Sequence, residues 1–324
     1  MHWPDCRSLA FPAALLTALL IAGTSTAECD APLRDCCTID TAIARSCEEG
    51  EGIARHCGHH CLRCRKTLLH WPCQEFTYVS PDDEEEPLAT DRPDFTEASS
   101  TVGLGRTQLE FGYTYIRDEE AGVELDEHSY PELLTRVGMF AEWFEFRIAW
   151  NYAQERISSG GIESAADGAE DLYLGCKLFL FEQDGWLPEV SIVPQMTVPT
   201  GARAFATDEV MAGVNLLYGW DVTEWMTFAG STQGNRALDD TGDFYDEYAQ
   251  SLTVGLSLTD NVGMYNEVFG IFPHSAVETG PEYYYNGGFT YRVNNNLQFD
   301  VRAGWGLNDQ ADDFFAGTGG AVRF

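Results

Sequence analysis

From Arg106 to the carboxy terminus, apolar and polar residues alternate with a period of two in one segment after another. Leu109, Phe111, Tyr113 and Tyr115 interleave with Gln108, Glu110, Gly112 and Thr114. Phe144, Phe146, Ile148, Trp150 and Tyr152 interleave with Glu145, Arg147, Ala149 and Asn151, and Leu172, Leu174, Cys176 and Leu178 with Asp171, Tyr173, Gly175 and Lys177. Leu297, Phe299, Val301, Ala303 and Trp305 do the same against Gln298, Asp300, Arg302 and Gly304. Successive strand side chains project to opposite faces, so sustained alternation predicts strands with one apolar and one polar side. It predicts about twelve of them, near 106–117, 130–139, 143–153, 169–181, 187–199, 209–220, 225–234, 245–258, 262–272, 282–293, 297–307 and 314–324.

The predicted connections alternate in length. Short turns fall at 140–142, 182–186, 221–224, 259–261 and 294–296, and longer acidic segments at 118–129, 154–168, 200–208, 235–244, 273–281 and 308–313. An even strand count with short turns at one end and long loops at the other is the pattern of an up-and-down membrane barrel. The expected fold is therefore all-β: an up-and-down antiparallel transmembrane β-barrel of about twelve strands over residues 105–324, preceded by a small cysteine-rich segment. Its last strand, Phe314 to Phe324, ends on an aromatic residue. It resembles the signal read by the machinery that assembles outer-membrane barrels, which makes Phe324 the expected assembly signal and that machinery an expected partner.

Upstream of the alternation the chain changes character. Leu9 to Gly23 is an apolar run too short to span a bilayer as a helix and followed by Ser25, Thr26 and Ala27, so residues 1–27 are expected to be a cleaved signal peptide. Residues 28–80 hold Cys29, Cys36, Cys37, Cys47, Cys57, Cys61, Cys64 and Cys73. That density in an exported chain points to disulfides stapling a small periplasmic unit with too little core of its own. Cys57, His59, His60, Cys61 and Cys64 could alternatively ligate zinc, but without a clean second ligand pair the adopted reading is disulfides, with no metal and no cofactor. Residues 81–104 are read as an acidic linker, with prolines flanking the Asp82 to Glu86 run, followed by the segment Thr90 to Glu97.

Thr90 to Tyr115 (TDRPDFTEASSTVGLGRTQLEFGYTY) resembles the opening of the putative MetA-pathway of phenol degradation family of outer-membrane proteins. Pro131 to Gly138 (PELLTRVG), Asp171 to Lys177 (DLYLGCK) and Val198 to Gly201 (VPTG) follow in that family's order. The resemblance covers about residues 90–324 and implies a transporter-like barrel for passive uptake of small, in part aromatic, solutes.

Charge narrows the partners. With 19 Lys+Arg against 52 Asp+Glu the formal net charge is -33, which offers no basic stripe for nucleic acid. The expected partners are outer-membrane lipid and a small-molecule solute. On the polar faces, the expected lumen residues are Glu110, Glu132, Arg136, Glu145, Arg147, Asp171, Lys177, Glu267, Asp300 and Arg302, which either pair with one another or line a water-filled path. A closed structural or surface-interaction barrel with a salt-bridged lumen is the alternative function. An outer-membrane hydrolase is a third reading, but histidine occurs in the barrel only at His128 and His274, without a local nucleophile signature, so no enzyme activity is expected.

Overall fold

The computed structural model describes residues 62–72, 74–79, 86–239, 241–276 and 280–324. The predicted signal peptide lies outside the described residues, as do Cys29, Cys36, Cys37, Cys47, Cys57, Cys61 and Cys73; of Cys64 only the backbone, in a 3-10 turn at Leu62–Cys64, is described. Among the described residues no helix is long and apolar enough to cross a membrane.

Thirteen strands form one antiparallel sheet: β1 (Thr107–Glu120), β2 (Val123–Gly138), β3 (Phe144–Ser159), β4 (Ile162–Ala169), β5 (Leu172–Phe181), β6 (Glu189–Val198), β7 (Met211–Thr223), β8 (Met226–Leu238), β9 (Phe244–Ser257), β10 (Val262–His274), β11 (Glu282–Asn294), β12 (Leu297–Gly306) and β13 (Phe314–Arg323). Each of twelve strands pairs with its neighbours, β3 passing directly to β5, and β13 pairs back to β1 from Gln108↔Arg323 to Arg117↔Phe314. The sheet is thus a closed barrel of twelve strands, and β4 is an addition paired only to the far half of β3. Closure satisfies every strand edge within the barrel, the condition for crossing lipid with strands.

The two ends of the barrel differ. Short turns and both ends of the barrel sequence lie at one end, where Phe324 N donates to Thr107 O at 2.8 Å and Thr107 N to Phe324 O at 3.2 Å. Phe324 thus closes the seam through its backbone while the residue stays 76% exposed. At the other end two of the predicted acidic loops are strand instead. Residues 118–129 continue β1 and β2 around an Ala121-Gly122 turn, and 154–168 continue β3 into β4 around Gly160-Gly161, all four turn residues having positive φ. Such paired positive φ values suit the two-residue hairpin turn whose twist matches the flanking strands. Sequence reading missed these arms because they rise beyond the apolar band, where neither face is buried and alternation fades.

The barrel wall sorts side chains as the alternation requires. Leu252, Val268, Phe289, Phe299 and Val301 face outward and are exposed, while their neighbours Ser251, Thr253, Glu267, Asn286 and Asp300 are buried inside. Outward aromatic residues mark both ends: Phe140, Trp186 and Trp225 at the short turns, and Tyr248, Tyr283 and Trp305 toward the other. Cys176, half-buried on the outward face opposite Phe146, is a free thiol.

Inside, toward the long connections, a small apolar cluster forms. Tyr284, Ala311 and Phe315 are buried together, with Ile116, Phe269 and Ile271 packed against them. The loop 307–313 dips in to supply Ala311, and Asp312 N donates to Tyr284 Oη at 3.2 Å.

Burial pushes the Asp312 carboxyl up to about 6, helped by Asp118, Glu282 and Asp313. The folded loop therefore binds this proton more tightly than an unfolded chain, so its packing is favoured at low pH and weakened as pH rises from about 4 through about 6. Amide exchange in residues 307–313 should accordingly be slower at pH 5 than at pH 7.5 after correction for intrinsic rates, and Asp312→Asn should remove the difference.

Candidate functional site

Residues 88–104 leave the short-turn end, run into the barrel and return to the same end before β1 begins. On the way in, Leu88 N donates to Asn295 O at 2.8 Å, and Gln108 Nε2 and Arg136 Nη1 both donate to Ala89 O at 2.9 Å. On the way out, Ser99 pairs with Glu189 and Ser191, Val102 N donates to Glu145 Oε2 at 2.9 Å, and Thr101 Oγ1 donates to Glu142 O at 2.6 Å. The segment grouped with the linker on sequence grounds is thus packed in the barrel interior, against the inward faces of β1, β2, β3, β5, β6, β9, β10 and β12.

Asp91 is its central anchor. The carboxylate contacts Arg147, lies 3.0 Å from Lys177 Nζ and 3.4 Å from Arg136 Nη1, and accepts from Ala98 N at 3.0 Å. Its backbone N donates to both oxygens of Glu110 at 3.1 Å. Arg136, completely buried, is shared among Asp91, Glu110 (3.1 Å) and Glu145 (2.8 Å). Arg147 also reaches Glu97, and Lys177 Nζ donates to Ala98 O at 2.5 Å. Three cations on neighbouring strands are therefore neutralised in part by a chain segment that belongs to no strand.

Arg92 occupies a notch at the closing seam. Gly112 and Gly319 are cross-strand partners there, and a Cβ on Gly112 would lie 2.3 Å from the guanidinium carbon, one on Gly319 2.5 Å from its Nε. Only residues without a side chain leave that space. The guanidinium pairs with Glu132, which sits at positive φ in a bulge of β2, and reaches Asp300 at 3.5 Å. On the same stretch of wall, Arg302 Nη1 donates to Pro93 O at 2.9 Å and Arg302 Nη2 to Thr114 Oγ1 at 2.8 Å.

Glu267 holds the tip. Its oxygens accept from Phe95 N and Thr96 N, each at 2.8 Å, from Thr96 Oγ1 at 2.8 Å, from Thr253 Oγ1 at 2.9 Å and from Asn286 Nδ2 at 3.2 Å. Five donors satisfy a buried carboxylate without a cation. Phe95 lies flat on Phe269 at 4.4 Å, joining the ionic half of the interior to the aromatic half.

Of the ten residues singled out from sequence, nine meet around this segment: Glu110, Glu132, Arg136, Glu145, Arg147, Lys177, Glu267, Asp300 and Arg302. Asp171 does not. It lies just before β5 and turns to the loop after β6, accepting from Thr200 N, Gly201 N and both Thr207 donors at 2.7–3.0 Å. Partial burial raises its pKa less than these four hydrogen bonds to the carboxylate lower it, so it falls below the usual value. The lumen assignment fails there because the period of two continues one residue past the strand.

Sequence reasoning also passed over Asp91, Arg92, Phe95, Thr96 and Glu97 as partners, together with the buried neutral groups Gln108, Ser191, Asn215, Ser251 and Asn286. The neutral ones were available from the same alternation. His128 accepts or donates with Tyr113 Oη at 2.8 Å on the outer face, and His274 lies beside Tyr248, 6.4 Å between ring centres. Among the described residues no cluster of His, Cys, Asp and Glu is arranged to hold a metal.

The profile of the family described as putative MetA-pathway of phenol degradation matches residues 90–324. An outer membrane channel from Pseudomonas putida F1 has a similar fold, with a TM-score of 0.55 at 11% identity over 70% of this chain and 98% of that one. The β domain of the Bordetella autotransporter BrkA aligns with a TM-score of 0.46 at 10% identity, over 68% of this chain and 99% of that one. The translocator domain of the autotransporter NalP from Neisseria meningitidis gives 0.45 at 15%, over 68% and 89%. No curated protein sequence matches significantly.

Asp91→Ala should destabilise the folded barrel by about 3–5 kcal/mol, the usual cost of leaving buried charges without their partner. Urea unfolding in detergent checks this, and Asp246→Ala, at an exposed surface pair, should cost within about 1 kcal/mol. Gly319→Val should expel Arg92 from its notch and lower the unfolding midpoint, whereas Gly242→Val, whose Cβ meets nothing, should affect only its local turn.

Proposed function

Because this chain belongs to the putative MetA-pathway of phenol degradation family, we propose that its barrel is an outer-membrane channel for small solutes that residues 88–104 hold shut. One observation carries the reading: the segment is bound by separate polar contacts to the walls rather than woven into the sheet, so it fills the lumen without being needed for closure. Asp91 fastens it to Arg136, Arg147 and Lys177, Arg92 to Glu132 and Asp300, and the Phe95-Thr96 backbone to Glu267. Withdrawal would leave four wall cations, Arg136, Arg147, Lys177 and Arg302, facing six wall acids, Glu110, Glu132, Glu145, Glu189, Glu267 and Asp300. Such a lumen, 4 minus 6, carries a small net charge of -2 of its own, and water must replace the contacts the segment made.

In this reading the short-turn end faces the periplasm, as short turns do in barrels of this kind, and residues 28–80 form a disulfide-stapled periplasmic unit. The terminal strand with Phe324 is what the assembly machinery recognises. Between Arg106 and Phe324 there are 11 basic and 35 acidic residues, 11 minus 35 being -24, and many of the acids lie toward the long connections. An open pore should therefore admit cations more readily than anions, and aromatic solutes are the class the family name suggests. Neither a hydrolase nor any other enzyme is proposed. The density of buried ion pairs favours one second reading, a permanently closed structural barrel.

Planar-bilayer recording separates the two. The unmodified barrel should show rare openings, and Asp91→Asn combined with Arg92→Gln should open it more often, with cation preference that fades as salt rises above about 0.1 M. Silence of both proteins despite verified insertion would establish the closed barrel, and anion preference would refute the acidic mouth.

A further inference from the structure

Across β1–β4 the outward face changes chemistry where the lipid ends. Tyr113, Tyr130 and Tyr152 carry the aromatic belt there, with 5.6 Å between the Tyr130 and Tyr152 rings, and such belts sit where hydrocarbon gives way to headgroups. Strand register fixes what lies beyond. Tyr115, His128, Gln154 and Asp167 are successive cross-strand partners and therefore share the outward face, and Arg117, Asp126, Arg156 and Ala165 form the next row. At about 3.4 Å per residue and a strand tilt of about 40°, these rows stand about 5 Å and about 10 Å above the belt. A phospholipid headgroup layer is about 5–8 Å deep, so the rows reach from that layer past its outer limit.

The two rows bound a recess of about 470 Å³, open to the outside and lined by Tyr115, Asp126, His128, Gln154, Arg156 and Asp167. Gln154, Arg156 and Asp167 are exposed and the other three half-buried, so a ligand can reach all six. The acids are held in place by the tyrosines: Tyr115 Oη donates to Asp126 and Tyr152 Oη to Asp167, while Tyr113 Oη lies 2.8 Å from His128 Nδ1. One hydrogen bond uses only part of a carboxylate's acceptor capacity, so Asp126 and Asp167 can each accept more. Arg156 has no ion pair or side-chain hydrogen bond among the described residues, whereas Arg117 on the same face is paired with Glu124 at 2.6 Å.

Two fixed carboxylates, a carboxamide and an aromatic ring suit a hydroxyl-rich ring compound, and a free guanidinium suits a phosphate. The apolar band directly below suits acyl chains. We propose that this recess docks a glycolipid of the surrounding membrane by its phosphorylated sugar head. The sugar hydroxyls donate to Asp126 and Asp167, the phosphate pairs with Arg156, and the chains run down the wall past Tyr152. A sugar head is also tall enough to fill both rows, which a glycerophospholipid head is not. Placing the lipid in the outer leaflet rests on the orientation given above, with the long connections outside; the docking itself does not require the barrel to conduct.

Native mass spectrometry of the full chain in detergent, with lipid A and phosphatidylglycerol in competition, tests this. Lipid A, a phosphorylated glucosamine glycolipid, should be retained at one per chain and preferred at least about tenfold. Arg156→Gln should remove about tenfold of that preference, the effect of one lost charge-assisted contact, and Asp167→Asn should lower it less. Arg236→Gln, at an exposed pair on another hairpin, should change nothing. All three positions are exposed, and heat-modifiable migration verifies that each variant is folded. Equal retention of the two lipids would overturn the proposal, as would lipid A retention that is absent or that neither Arg156→Gln nor Asp167→Asn alters. The orientation is read separately: a Glu163→Cys variant that an impermeant maleimide fails to label on intact cells would overturn the outer-leaflet placement, whatever the spectra show.

Discussion

A charge taken out of water must be met by another charge or by hydrogen bonds, and the interior of this barrel is arranged around that demand. Arg136, Arg147 and Lys177 stand on the adjacent strands β2, β3 and β5, and the sheet supplies Glu110 from β1 and Glu145 from β3 as counter-charges. Asp91 completes the set from outside the sheet. The wall and the inserted segment are therefore complementary parts of one electrostatic unit. Neither has all its charges matched without the other unless water replaces the missing part.

The same economy of space appears at the seam. Membrane barrels close by pairing first strand with last, and here that junction carries facing glycines, Gly112 and Gly319. Their missing side chains make room for the Arg92 guanidinium, so the position that completes the sheet also receives the inserted segment. On the aromatic side, Phe95 on Phe269 and Phe269 on Tyr284 extend the packing toward the loop that contributes Ala311. The lumen consequently changes from ion-paired at the short-turn end to an aromatic cluster ringed by acids at the other.

Most of the wall was legible in the sequence because a strand with lipid on one face and polar groups on the other must alternate. The inward charges Glu110, Arg136, Glu145, Arg147 and Lys177 could be picked out by that rule alone. Asp171 misled because the rule has no knowledge of where a strand stops. The arms at 118–129 and 154–168 misled in the opposite sense, since strands wet on both faces lose the alternation that reveals them. The inserted segment was seen as a motif but not as a partner. Thr90 to Glu97 has no periodicity, and its contacts reach residues 18 to 209 positions away, a distance over which local patterns carry no information.

Residues 88–104 enter and leave by the same mouth, which gives the barrel a freedom that a threaded chain lacks. A loop whose two feet share one rim can be drawn out without passing an end through the lumen and without breaking a strand pair. The order of synthesis adds a constraint, because this segment precedes every strand it touches, and its neighbour Glu86 meets Arg323 across 237 positions. Its contacts join strands drawn from nearly the whole sheet, so they can all be made only once those strands are in place. The barrel can close first around a wet interior and receive its occupant afterwards.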